Sequence, residues 1–455
     1  MTRLHVDLCV IGAGSGGLSV AAGAVQMGAR VTLIEGAKMG GDCLNFGCVP
    51  SKALLAAARA GKDHAAAMAH VAEAIAAIAP HDSEERFTAL GCTVIRAFAR
   101  FTSPREVEAG GTRITARRFV IATGARPAIP KIPGLDTVPF LTNETLFDPG
   151  PRPGHLLILG GGPLGVEMAQ AHRQLGCAVT VIEASRILGR EEPELAALVI
   201  DRLRAEGVTL IEGASAIRAG REGEAVTLAL ADGRSVTGTH LLLATGRVPA
   251  LEALDLPAAG IETEGGRVKS DARLRTTNRR VFAIGDATSA RQFTHLAGYH
   301  AGLVVRQALL ALPARARADH IPRVTYTVPE LAHIGLTEAE ARERHGKSLT
   351  VITLPFSETD RAVTDAAGPG LVKLMVHRGR PVGVGIAGPQ AGELIAPWAL
   401  ALTARLKLSV MASTVLPYPT LSEVSKRAAG TYFSGKLFDN AWVRRVVRAV
   451  QRVVP

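Results

Sequence analysis

Two cysteines five positions apart stand in the run Gly40-Gly41-Asp42-Cys43-Leu44-Asn45-Phe46-Gly47-Cys48-Val49-Pro50-Ser51-Lys52. The chemistry open to such a pair is exchange, in which a thiolate attacks a disulfide sulfur. In a regular helix five residues rise about 7.5 Å, more than the roughly 7 Å between Cα atoms that a disulfide tolerates. A bond between Cys43 and Cys48 therefore needs irregular backbone, which Gly40, Gly41 and Gly47 permit. Pro50 suits a first helical turn and sets Cys48 near a helix N-terminus, where the dipole favours a thiolate. Cys9, Cys92 and Cys177 lie in or beside apolar strands and read as ordinary buried residues. No second ligand pair follows at finger-like spacing, so no metal site is expected.

The elements that must position this pair form a repeat. Residues 6–11 read as a buried strand, followed by Gly12-Ala13-Gly14-Ser15-Gly16-Gly17, an alanine-rich helix to about residue 27, and a strand over 31–34 that ends at Glu35. This is the dinucleotide fingerprint: Gly12 makes the tight turn, Gly14 admits the pyrophosphate, Gly17 lets helix and sheet pack, and Glu35 accepts from ribose hydroxyls. The pattern recurs with a strand over 156–159, the loop Gly160-Gly161-Gly162-Pro163-Leu164-Gly165, a helix over 166–175 and a strand over 178–182 that ends at Glu183. In both copies the acid lies 18 positions after the last fingerprint glycine. Ile121-Ala122-Thr123-Gly124 is echoed by Leu243-Ala244-Thr245-Gly246. Two copies imply two dinucleotides, the redox intermediary in the copy that carries the cysteines and the soluble electron carrier in the other. Glu183 repels a 2′-phosphate and favours NADH over NADPH, although Arg186 and Arg190 just beyond it offer that phosphate a partner.

A chain of 455 residues has room for two to four domains. No run of about 18 apolar residues could span a membrane. The N-terminus enters a strand almost at once, which leaves no room for a signal peptide and makes the cytoplasm the expected location. Five cysteines do not make a secreted disulfide framework, and a paired motif in a reducing compartment points to redox work. The net charge of +11 comes largely from arginine spread along an alanine-rich chain, without the aromatic interleaving of a nucleic-acid module. Such a field attracts anionic cofactors and substrates.

With these motifs in place, nearly the whole chain resembles the flavin-dependent pyridine nucleotide–disulfide oxidoreductases, the family of dihydrolipoamide dehydrogenase, glutathione reductase and mercuric reductase. The cysteine segment matches that family's active-site signature at Cys43, Cys48 and Lys52. The resemblance implies an α/β chain of two Rossmann-like domains plus a C-terminal α+β dimerisation domain. The FAD domain (1–148 and 268–320) would be split by the NAD(P) domain (149–267), with the interface domain over 321–455. It implies FAD contacts from Gly12, Gly14, Gly17, Glu35, Gly41, Lys52, Ala99, Thr123, Gly124, Gly285, Asp286 and Thr294, and NAD contacts from Gly160, Gly162, Gly165, Glu183 and Gly246. NAD(P)H would reduce the flavin, Cys48 would face the ring, and Cys43 would be the interchange thiol. Lys52 and Glu167 resemble the family's ion pair by the flavin. Their bland alternative is a solvated helix face.

One position departs from the family. Its thiol–disulfide members carry H-P-T-x-S-E near the C-terminus, where the partner subunit's histidine is the acid–base for the interchange thiol. Here the run is Tyr418-Pro419-Thr420-Leu421-Ser422-Glu423. A phenol titrates near 10 and is a poor base at neutral pH, unlike histidine. Tyrosine here looks like the mercuric reductase branch, as does Thr359-Asp360-Arg361-Ala362, but no vicinal cysteine pair follows, since the last cysteine is Cys177. The expected activity is thus a homodimeric NAD(P)H-dependent flavoenzyme with catalytic residues Cys43, Cys48, Tyr418, Glu423, Lys52 and Glu167 and an open acceptor: a metal ion, a small molecule, or a lipoyl or other disulfide. A dihydrolipoamide dehydrogenase variant is the enzymatic alternative. A redox sensor or membrane-surface binding protein is the alternative of another class. The tail 440–454 sets Trp442, Val443, Val446, Val447 and Val450 on one helical face beside arginines. Packing on the body or a partner subunit, or weak contact with an anionic membrane, would use that face.

Overall fold

Leu8, Cys9, Val10 and Ile11 are all buried, as a strand covered on both faces of a parallel sheet requires. They end strand Thr2–Ile11, which pairs in parallel with Val31–Ile34 on one side and Thr112–Ile121 on the other. The computed structural model describes residues 2–454, with Lys436 described in its backbone alone. It forms two compact units, one of residues up to 185 with 208–317 and one of 186–207 with 318 onward.

In the first unit the sheet runs Thr93–Ile95, Val31–Ile34, Thr2–Ile11, Thr112–Ile121, Glu106–Ala109, Ala99–Ser103. Val281–Ala283 also pairs in parallel with Thr112–Ile121 and so brings a segment from far along the chain to the first nucleotide loop. A second parallel sheet is built from Thr209–Glu212, Ala178–Glu183, His155–Leu159 and His240–Leu243. The two glycine loops superpose in their constraints. A Cβ on Gly12 or Gly160 would lie 2.4 or 2.3 Å from the carbonyl oxygen of Ala122 or Ala244. One on Gly17 or Gly165 would lie 1.8 or 2.0 Å from the oxygen of Gly12 or Gly160. No side chain fits at either place, which is why helix, turn and sheet close up as the fingerprint demands.

The second unit holds a five-stranded antiparallel sheet in the order Arg323–Thr325, Glu330–Gly335, Arg380–Gly388, Leu371–His377, Leu349–Pro355. Phe356, Leu374, Ile386 and Trp398 fill its core with Val424 and Ala428 of helix Glu423–Phe438. The indole of Trp398 donates to Ser425 Oγ at 3.0 Å. Helix Pro193–Ala205, inside the segment expected to belong to the NAD(P) domain, packs in this unit. Leu195, Ala196, Val199 and Leu203 are its buried face, and at its start Lys373 reaches Glu338 at 2.6 Å, Glu192 at 2.7 Å and Glu194 at 3.0 Å. The Lys373 and Glu192 side chains are only 4% and 3% exposed, and their lost water is made good by this cluster, with Glu338 N also donating to Glu192.

Candidate redox-active site

Cys43 sits on the short helix Gly41–Asn45, and Cys48 is the first residue of helix Cys48–Arg59. The break between them is the irregular backbone that a disulfide requires. Gly40 and Gly41 have φ of +83° and +60°. A Cβ on Gly41 would meet Gly14 Cα at 2.6 Å, and Gly40 N donates to Ala13 O at 3.0 Å. The dithiol segment therefore lies directly on the first nucleotide loop. Its shape is fixed by Asn45, whose amide donates to Met39 O and Gly41 O at 2.9 and 2.8 Å. From outside it, Asn143 donates to Asp42 Oδ1 at 2.8 Å and Arg247 approaches the same oxygen at 3.1 Å. Neither Asn143 nor Arg247 is flagged by a local motif.

The two sulfurs are not bonded to each other, with Cys43 half-buried and Cys48 exposed. They are not equivalent. The hydrogen bond from Cys43 draws the Cys48 thiol down to about 6, with Thr294 and the Lys52 charge adding to it. Cys43 is pushed well above the usual thiol range, first because its proton is committed to Cys48. Thr294 begins helix Thr294–Leu310 and puts Oγ1 3.4 Å from Cys48 Sγ. Lys52, one turn along from Cys48, pairs with Glu167 of helix Pro163–Gln174 at 2.7 Å, and that carboxylate is 3% exposed. The solvated-face alternative for this pair is thereby excluded. The pair is one thiolate and one thiol, with a paired ammonium group beside the thiolate.

The acids that close the two nucleotide copies do the same local work. Glu35 accepts from Ala13 N at 2.6 Å and Ala37 N at 2.7 Å, and Glu183 from Gly161 N at 2.8 Å and Ser185 N at 2.9 Å. Each ties its glycine loop to the strand end, a role that the spacing alone does not reveal. The first copy fits a flavin dinucleotide. Thr123 Oγ1 is buried with no partner, and a Cβ on Gly14 would meet nothing closer than Gly41 Cα at 3.8 Å. Burial pushes the Asp286 carboxyl up to about 6, against the pull of the Arg247 guanidinium 3.9 Å away. The neighbouring Gly285 N donates to His300 Nδ1 at 3.2 Å. Burial pushes that imidazole down to about 4, which keeps it a neutral acceptor. Ala99 is buried at the start of its strand, opposite Ala109. Gly124 and Gly246 have open space where a side chain would stand, and Gly162 caps the second helix.

In the second unit, Tyr418 is exposed and its hydroxyl donates to Asp360 Oδ2 at 2.7 Å. Asp360 also lies 3.6 Å from Arg427. Glu423 instead accepts from Thr420 N at 3.4 Å, so Asp360, 58 positions away, is the partner of the phenol. That hydrogen bond and the Asp360 charge raise the phenol above its usual value.

The chain matches the family model described as pyridine nucleotide-disulphide oxidoreductase over residues 6–302 and the dimerisation domain of the same family over 321–429. It belongs to the pyridine nucleotide–disulfide oxidoreductases. It is 37% identical over 467 residues to a mercuric reductase of Streptomyces lividans, covering 95% of this chain and 98% of that protein. It is 35% identical to a dihydrolipoyl dehydrogenase of Thermus scotoductus, covering 93% and 96%. Among solved structures it is similar to the Cu(II) complex of the HOCl-induced flavoprotein disulfide reductase RclA from Escherichia coli. There the TM-score is 0.88 and the identity 29%, over 95% of this chain and 100% of that one. This oxidoreductase is thus an α/β flavoenzyme that uses FAD and NAD(P)H, and its dimerisation domain supports a homodimer. Among the described residues no helix is long and apolar enough to cross a membrane.

Proposed function

We propose that this oxidoreductase carries electrons from NADH through the Cys43–Cys48 pair to a thiophilic metal ion of the Hg(II) or Cu(II) kind. The observation that carries the reading is the Tyr418 hydroxyl donating to Asp360 at 2.7 Å. A disulfide acceptor leaves as a thiolate that must be protonated, and a phenol bound to a carboxylate and raised above its usual value is a weak acid and no base at neutral pH. A metal ion held by two thiolates leaves without needing that proton. The likeness to mercuric reductases and to a copper-bound flavoprotein supports the same choice.

FAD, when bound, supplies a two-electron relay between nicotinamide and the cysteine pair. Gly12, Gly14, Gly17, Glu35, Thr123 and Asp286 would hold it. The chain's own residues prepare the sulfurs. The Cys43 hydrogen bond, then Thr294 and Lys52, keep Cys48 anionic, Glu167 holds Lys52 in place, and Cys43 keeps its proton until a metal ion displaces it. In this reading a thiol-complexed ion exchanges its ligands at Cys43. The overall reaction balances as NADH plus Hg(II) giving NAD⁺, a proton and Hg(0), or with two Cu(II) giving two Cu(I). Glu183 favours NADH by repelling a 2′-phosphate. In the dimer the dithiol of each subunit is completed by Tyr418 of the partner subunit, and the enzyme works in the cytoplasm, where NADH keeps the pair cycling.

The test is anaerobic NADH oxidation with thiol-complexed Hg(II) or Cu(II) against lipoamide. Because a matched acid–base is worth about 10²–10⁴-fold, metal-ion turnover should exceed lipoamide turnover by at least about 10-fold and vanish in Cys43→Ser. Lipoamide as the faster acceptor would assign the enzyme to dihydrolipoyl chemistry instead.

A further inference from the structure

Helix Ala441–Val450 takes no part in this chemistry, and none of its residues is buried. It is nonetheless built with care. Asn440 caps it, its side chain accepting from Trp442 N at 2.9 Å and Val443 N at 3.4 Å. Arg444 bonds back to Phe438 O at 2.8 Å, which fixes the corner after helix Glu423–Phe438. At 3.6 residues per turn, Trp442, Val443, Val446, Val447 and Val450 fill one arc of about 140°, and Arg444, Arg445 and Arg448 fill the opposite side. Trp442 is 68% exposed and Val447 51%. The face is apolar, ordered by a cap, and not covered by the rest of its own unit.

Charge decides what covers it. Residues 440–455 contain four arginines and no acidic residue. A second copy would bring a chain with the same excess, +11 overall, against the arginine flanks. An anionic lipid surface offers the opposite charge along the whole helix together with an apolar layer for the opposite face. A tryptophan beside a valine stripe, flanked by arginines, is the pattern of a helix lying in the plane of the interface. We propose that Ala441–Val450 docks the enzyme reversibly on membranes rich in anionic phospholipid, with the Trp442–Val447 face inserted and the arginines among the headgroups. Five apolar side chains make a weak anchor alone, and two tails in a dimer reinforce each other through effective concentration.

The test uses the FAD-loaded full chain with vesicles of phosphatidylcholine alone or mixed with phosphatidylglycerol. Of the two tryptophans, Trp398 is fully buried, so any shift of emission on adding vesicles reports on Trp442. The expected result is a blue shift and at least about 10-fold stronger sedimentation with the anionic vesicles, reversed by high salt. Trp442→Ala with Val446→Ser should lose that binding while keeping NADH-dependent turnover and the wild-type elution volume. Three outcomes overturn the proposal: no shift in wild type, equal binding to neutral vesicles, or a change of oligomeric state in the double variant. The last would mean that a second copy covers the face.

Discussion

Replacing Thr294 with valine removes the hydroxyl 3.4 Å from Cys48 Sγ and leaves the shape of the side chain nearly unchanged. Cys48 is drawn down to about 6 first by the Cys43 thiol, then, against burial, by Thr294 and the Lys52 charge. A hydrogen bond to a charged group contributes roughly 1.5–3 kcal/mol, and exposure of Cys48 brings this one to the low end through solvent screening. About 1.4 kcal/mol corresponds to one pKa unit, so the valine variant should titrate near 7. At pH 7 its thiolate fraction would fall from roughly 90% to roughly 50%. The assay is the pH dependence of the long-wavelength absorbance that a thiolate gives beside bound flavin, with the alkylation rate of Cys48 by iodoacetamide as an independent readout. Thr294→Ser keeps the hydroxyl and should behave as wild type. A midpoint unchanged within about 0.3 unit in the valine variant would refute the assignment of Thr294 as a donor to the thiolate.

Three further outcomes follow from the same geometry. Lys373→Met takes from Glu192, which is 3% exposed, and from Glu338 the ammonium they share and should cost about 3 kcal/mol or more, read as a lower midpoint in chemical unfolding. The raised carboxyl of Asp286, about 6 against an ordinary 3.8, contributes stability to the FAD-free protein below pH 4 that is lost as pH rises through 6. Asp286→Asn should abolish that dependence, stabilising the FAD-free protein at pH 7 by roughly 3 kcal/mol while weakening FAD retention, as unfolding and dialysis would show. His300 has the opposite sign. Its folded value, near 4, is depressed from 6.5, so stability present above pH 6.5 is lost as pH falls to 4, by about 3 kcal/mol. His300→Gln should flatten unfolding curves over that window.

Much of this site is legible in the sequence because its parts are local. The glycine loops, Pro50 and the acids at strand ends act on backbone within a few positions, and the duplicated copies report the same constraint twice. Cys48 at a helix start and the Lys52–Glu167 pair follow from the family motif. What stayed hidden depends on contacts between distant segments. Thr294 reaches Cys48 across 246 positions, Asn143 reaches Asp42 across 101, and Asp360 takes the Tyr418 hydroxyl across 58. His300 carries no signal because its function is to accept one backbone hydrogen bond from inside a helix. Helix Pro193–Ala205 looks like part of a nucleotide-binding repeat, yet it packs in the other unit, where Lys373, about 180 positions later, meets Glu192.

The central claim is that the proton partner at position 418 selects the acceptor. It is tested most directly by measuring kcat/KM for lipoamide and for thiol-complexed Cu(II) in the wild type and in Tyr418→His. Histidine should raise lipoamide turnover by at least about 10-fold and leave flavin reduction by NADH and turnover with copper unchanged. Lipoamide turnover that is fast in the wild type and indifferent to the substitution would contradict it.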